Sequence, residues 1–124
     1  MLFRSNEIAL YNGTRWQAFA VSELSITNSG LAASKPHDVF VDYNSGTPVL
    51  SFLVWTNDTT RATALTKQDG VYVLSGSTGK RYVGTVYTDS SSKFNDSKTL
   101  RHVWNYYNRV RRFLTRYETT SSWT

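Results

Sequence analysis

Three short polar turns constrain this chain more than any other feature. Asn12-Gly13, Asn44-Ser45-Gly46 and Asp69-Gly70 each stand between runs rich in β-branched and aromatic residues. Asn and Gly accept the positive φ that a type I′ turn demands, so Asn12-Gly13 predicts a hairpin between residues 7–11 and 14–21. A second hairpin is expected where Val39-Phe40-Val41-Asp42-Tyr43 turns into residues 49–56. That return strand is apolar on both faces, the pattern of a strand inside a sheet or between layers. Gln68-Asp69-Gly70 predicts a third, joining residues 61–67 to 71–74.

Between and after these hairpins the composition changes. Residues 25–36, rich in Ser, Asn, Gly and Ala, read as a surface connection, and residues 75–80 as a flexible loop. Residues 81–88 are β-branched and aromatic with Gly84 at their centre, and a lone Gly inside a strand signals a bulge or a close backbone approach. Residues 89–98 form an exposed loop in which Asp96, Ser97 or Thr99 can cap a helix.

A helix is expected because Leu100, Val103, Trp104, Tyr107 and Leu114 recur at intervals of three, four and seven. It would run near residues 97–108, with Trp104 and Tyr107 inward as core anchors beside Trp55. From about Val110 the pattern also alternates as a strand, so the helix is expected to give way to one there.

The chain has no cysteine, so neither a disulfide nor a cysteine-ligated zinc site exists in it. No apolar run approaches the length needed to span a bilayer, and residues 1–7 lack the pattern of a signal peptide, so a soluble protein made in a cytoplasm is expected. The net charge of +5 is unevenly placed. Residues 1–62 hold four basic and five acidic side chains, and residues 63–124 hold ten basic and four acidic. A basic half suits nucleic acid, an acidic glycan or an acidic neighbouring subunit.

Catalytic chemistry finds little support. His37-Asp38 is the one adjacent histidine and carboxylate, and His102 lies among arginines; neither has the further partners of a triad. Carboxylates among Asp38, Asp42, Asp58, Asp69 and Asp96 would have to converge in space to cleave a glycan, and capping or turn roles explain them more simply. Asp42-Tyr43-Asn44-Ser45-Gly46 echoes a calcium loop, but no Glu closes it, and Gly79-Lys80 lacks the spacing of a phosphate loop. No cofactor and no metal is expected.

Arg101, Arg109, Arg111, Arg112 and Arg116 interleave with Tyr106, Tyr107 and Phe113, a pattern that nucleic acid can use for phosphate tracking and stacking. Core packing explains Leu100, Val103, Trp104 and Tyr107 better, which leaves the five arginines and Tyr106 as a candidate partner interface, because guanidinium forks suit interfaces. Four Trp and eight Tyr are a high aromatic load that serves glycans and protein partners alike. Trp16 and Trp123 are the candidate glycan contacts.

Several motifs recur together along the chain: Asp38-Val39-Phe40-Val41, Trp55-Thr56-Asn57-Asp58-Thr59-Thr60-Arg61-Ala62, Asp69-Gly70-Val71 and Arg81-Tyr82-Val83-Gly84-Thr85-Val86. Asp96-Ser97, then Arg101 to Val110 with Trp104-Asn105-Tyr106-Tyr107-Asn108-Arg109, and finally Ser121-Ser122-Trp123 complete the series. In order and spacing this set resembles a family of bacteriophage virion proteins of tail or head fibres, spikes or decorations. The resemblance implies a structural role in the virion, with no activity, cofactor or catalytic residue to carry over. It also implies assembly with copies of itself, a homotrimer first, and with other virion proteins. Members continue past Ser-Ser-Trp into further strands, so residues 1–124 are expected to be one β-rich domain or the front part of a longer one.

The expected fold is mainly β, an antiparallel β-sandwich or jelly-roll-like domain of about seven to nine strands with one short helix near residues 97–108. The expected function is that of a non-enzymatic virion structural protein. The alternative is a tail module that recognises host surface polysaccharide, and less so a depolymerase. Nucleic acid and membrane are not expected partners.

Overall fold

The computed structural model describes residues 7–95 and 103–106. These form eight antiparallel strands: β1 (Glu7–Tyr11), β2 (Trp16–Ala20), β3 (Pro36–Asp42), β4 (Val49–Val54), β5 (Leu65–Gln68), β6 (Val71–Leu74), β7 (Ser77–Tyr87) and β8 (Val103–Asn105). β1 and β2 make a hairpin of their own, while the other six form one sheet in the order β4-β3-β7-β6-β5, with β8 also on β7. The architecture is the expected mainly β, sandwich-like one, with layers of unequal size.

All three turn signals produce hairpins, by different chemistry. Asp69 and Gly70 both have positive φ, at 52° and 84°, and close β5–β6 as a tight two-residue turn. At the first hairpin Tyr11 pairs with Trp16, leaving a four-residue loop rather than the expected two-residue turn. Here the side chain of Asn12 does the work, accepting at Oδ1 from the main-chain N–H of Thr14 and of Arg15, both at 2.9 Å. In the β3–β4 turn Asn44, Ser45 and Gly46 are all left-handed, a run that residues with a short polar side chain or none tolerate best.

β7 organises the large sheet. It begins at Ser77, so residues 77–80 belong to a strand and the loop expected there shrinks to Ser75-Gly76. Val39 pairs with Gly84 and Phe40 with Tyr82, so Val83 is an extra residue and the bulge foreshadowed by Gly84 lies beside it. Before the bulge one side of β7 pairs with β6; beyond it the same side is taken by β8, through Gly84, Thr85 and Val86.

That pairing corrects the expected helix near residues 97–108: at its centre, Val103–Asn105 is a strand. The intervals of three and four were a genuine helical pattern, but Val, Trp and Asn are not strong helix formers. An edge of β7 left vacant past the bulge offers hydrogen bonds that outweigh so weak a preference. The remainder of that expected helix, and the strand expected from Val110, lie outside the described residues. Among those described, no helix is long and apolar enough to cross a membrane.

The core lies on both faces of the large sheet. On one face Phe40, Leu74 and Tyr82 form a buried cluster, packed by Leu53, Leu65, Tyr72 and Tyr106. The β1–β2 hairpin covers part of the other. Register places Ile8 and Phe19 on one side of the hairpin with Leu10, which is fully buried, and Phe19 meets Tyr43 at 5.5 Å between ring centroids. Arg81 Nη1 donates to the Ala9 carbonyl at 2.9 Å, tying the layers together. Completely burying a side chain such as Leu10 or Phe40 contributes about 1.5–3 kcal/mol.

β4 departs from its expected place. Its sequence, Val-Leu-Ser-Phe-Leu-Val, suits a central strand, yet among the described residues it is the outer edge of the sheet. Trp55 N donates to Pro36 O at 2.9 Å, which fixes the phase of the ladder: Leu53, Ser51 and Val49 bond to β3. Leu50, Phe52 and Val54 therefore turn their main-chain N–H and C=O groups outward.

Candidate functional site

The face that carries Phe40 also carries a buried ion pair. Asp38, on β3, is 1 % exposed and accepts from Arg61 Nε at 2.7 Å and from Thr85 Oγ1 at 2.8 Å. Having given its proton to the carboxylate, the Thr85 hydroxyl accepts from Tyr82 Oη, 2.7 Å away. Both carboxylate oxygens are thereby satisfied, which a buried charge requires.

Arg61 reaches Asp38 because the chain folds back after β4. Asn57 Oδ1 accepts from the Thr59 main-chain N–H at 2.9 Å and from its hydroxyl at 3.0 Å, and Thr56 N donates to Thr60 O at 2.9 Å. This compact turn aims Arg61 over the sheet, where its guanidinium lies 4.5 Å from the Trp55 ring and 5.6 Å from the Tyr82 ring.

Two adjoining cavities open around this arginine and share Arg61 and Tyr82. One, of about 600 Å³, is lined by Thr59, Thr60, Ala64, Leu65, Tyr72 and Tyr106 as well; the other, of about 340 Å³, by Pro36, Trp55, Asp58, Thr85 and Tyr87. Tyr106, beyond β8, stands edge-on to Tyr72 with centroids 5.2 Å apart and also meets Tyr82 at 5.9 Å. The result is a cleft with aromatic walls and a guanidinium at its centre.

The sequence-selected residues are placed as follows. Trp55, named as a core anchor, is half-buried beneath Arg61, and its Nε1 is buried with no hydrogen-bond partner among the described residues. Tyr106, grouped with the interface arginines, packs on tyrosines of its own chain. Trp16, a candidate glycan contact, donates from Nε1 to Asp69 Oδ2 at 2.9 Å and packs against Tyr11. Trp104 pairs through its backbone with Thr85. The anchoring expected of its side chain lies outside the described residues, as do Tyr107, Trp123, Arg101, Arg109, Arg111, Arg112 and Arg116.

Arg61 was not singled out by sequence reasoning, although it stood in a quoted motif. A lone arginine after Thr-Thr carries no sign that a buried carboxylate awaits it 23 positions earlier. The faint calcium and phosphate echoes resolve into structure. Asp42 pairs with the Lys80 ammonium and accepts from Ser51 Oγ at 2.8 Å, so both belong to a sheet ladder. Among the described residues no group of three or more His, Cys, Asp or Glu side chains is placed to hold a metal.

His37 sits beside Asp38 in sequence but on the opposite face. It is 1 % exposed, its Nδ1 lies 3.0 Å from the Lys35 carbonyl and must carry the proton, and its Nε2 meets no partner among the described residues. Burial holds its pKa below the usual 6.5, helped by the nearby Lys35 charge and opposed by the Lys35 carbonyl hydrogen bond. His37 and Asp38 do not form a catalytic pair, because successive strand residues point to opposite faces of the sheet. The chain matches no family model, no curated protein and no solved structure.

Proposed function

We propose that this chain is a non-enzymatic structural protein of a bacteriophage virion, a component of a tail or head fibre, spike or decoration, that works through self-assembly and contacts with neighbouring virion proteins. The observation that carries this reading is the convergence of motifs far apart in sequence. Asp38, Trp55, Arg61, Tyr82, Thr85 and Tyr106 come from four of the segments on which the resemblance rests, and they meet in one network and its aromatic surround. A shared scaffold is what such a pattern would encode. The outward, uncharged β4 edge, without a second strand beside it among the described residues, supports assembly, because an open edge is a template for another chain.

Light scattering of the purified chain and mass spectrometry of purified particles test this reading. A defined oligomer, a homotrimer first, together with the chain's presence in particles supports it; a monomer absent from particles refutes it. A second reading, recognition of host surface polysaccharide, is favoured by the aromatic cleft around Arg61.

A further inference from the structure

The geometry points to the larger half of the Arg61 cleft as a binding site for a uronic-acid residue of an acidic polysaccharide. The inference rests on the polysaccharide reading and gives it a place and a ligand chemistry; it does not depend on assembly. Asp38 engages Arg61 through Nε, and among the described residues no acceptor meets the terminal Nη groups. The arginine side chain is 33 % exposed, so that pair of donors faces the cleft. Planar guanidinium presents two parallel N–H bonds to a carboxylate, a fork held here in orientation by Asp38 on one edge and Trp55 on one face.

The two halves of the cleft differ in charge. The half of about 340 Å³ contains Asp58, which would repel a carboxylate. The half of about 600 Å³ has no acidic side chain in its lining among the described residues, and Lys67 Nζ lies 5.1 Å from the ring of Tyr72 on its wall. Arg61 and Lys67 thus both favour an anion there, and the volume falls within the range of about 300–1,000 Å³ usual for small-ligand clefts. Tyr72, Tyr82 and Tyr106 supply aromatic surface for the C–H face of a pyranose, while Thr59 and Thr60 supply hydroxyls for its ring substituents. A neutral sugar would leave the guanidinium fork unmet, so the site discriminates by charge.

Calorimetric titration with tetragalacturonate, with its carboxyl-reduced counterpart and with a glutamate-rich peptide tests the inference. Tetragalacturonate is expected to bind at least tenfold more tightly than either comparison probe. Ala64→Trp fills the cleft from an exposed rim position without touching the Asp38 network, and is expected to weaken binding at least tenfold at an unchanged melting temperature. Arg61→Lys keeps the positive charge beside Asp38 but removes the fork, and is expected to weaken tetragalacturonate while leaving the reduced sugar unaffected. Unchanged affinity in Ala64→Trp overturns the inference, as does equal binding of the reduced sugar or tighter binding of the peptide. If intact host polysaccharide still binds in those cases, the polysaccharide reading survives without this site; if the wild-type chain binds no saccharide, both fall.

Discussion

Arg61 is one-third exposed, while Asp38, whose Oδ2 it meets at 2.7 Å through Nε, is 1 % exposed. The pair is therefore lopsided: the carboxylate has surrendered its water and the guanidinium has kept some. Removing the arginine strands a buried charge that Thr85 alone cannot satisfy. Breaking a fully buried pair costs about 3–5 kcal/mol, and the solvent around Arg61 lowers the expected loss for Arg61→Met to about 2–3 kcal/mol. Adding Asp38→Asn removes the stranded charge and should recover part of that loss. Urea unfolding of the single and double variants measures this; a double variant as unstable as the sum of the singles would show that the two residues act independently.

His37 predicts a pH dependence. Its folded pKa lies below 6.5, so between the two values the unfolded state binds more protons than the native one, and stability rises with pH. The contribution of the neutral, buried ring is complete above about pH 6.5 and is lost as the pH falls below it, until the native state takes up the proton too. Urea midpoints should therefore drop between about pH 7.5 and 5.5, above the ordinary carboxylate range. His37→Gln should flatten that dependence. A flat wild-type profile would mean that the native ring is protonated as readily as the unfolded one.

The Asp69-Gly70 turn predicts a local cost. At φ 84° Gly70 occupies the left-handed region, and a Cβ there meets nothing within 4 Å, so only backbone strain opposes Gly70→Ala. The expected loss is about 1–2 kcal/mol, read as a lower denaturant midpoint at unchanged slope. Gly13→Ala, at φ 95° in a longer loop braced by Asn12, is expected to cost less, because a four-residue loop has more dihedrals to share the strain.

Turns were legible in the sequence because their chemistry is local: Asn12, Gly46 and Gly70 act within a few residues of themselves. Gly84 likewise marked the bulge in β7. What lay hidden was decided by partners far along the chain. Val103–Asn105 has a helical period, and only the vacant flank of β7 past Val83 makes it a strand. Asp38 read as a turn or capping carboxylate beside His37, yet its role is set by Arg61 and Thr85, 23 and 47 positions away. The cleft was invisible for the same reason, since its walls come from the start of β3, the segment after β4, β5, β6, β7 and the residue after β8.

β4 carries the last prediction. A strand of Val, Leu, Ser and Phe with no charge, proline or bulge is ordinarily flanked on both sides, and among the described residues it has a partner on one side only. The phase set by Trp55 N to Pro36 O leaves the Leu50 N–H outward, so Leu50→Pro removes a donor that β3 does not use. The Ser51 N–H faces Phe40, so Ser51→Pro removes a ladder bond. If copies or neighbouring chains assemble by adding a strand to this edge, Leu50→Pro should keep most of the thermal stability of the monomer and lose the oligomer, read by light scattering. Ser51→Pro should destabilise the monomer more than Leu50→Pro does, read as a lower denaturant midpoint, because it also removes a hydrogen bond of the β3–β4 ladder. An oligomer that survives Leu50→Pro would move assembly away from β4, to a surface that does not use the sheet's open edge.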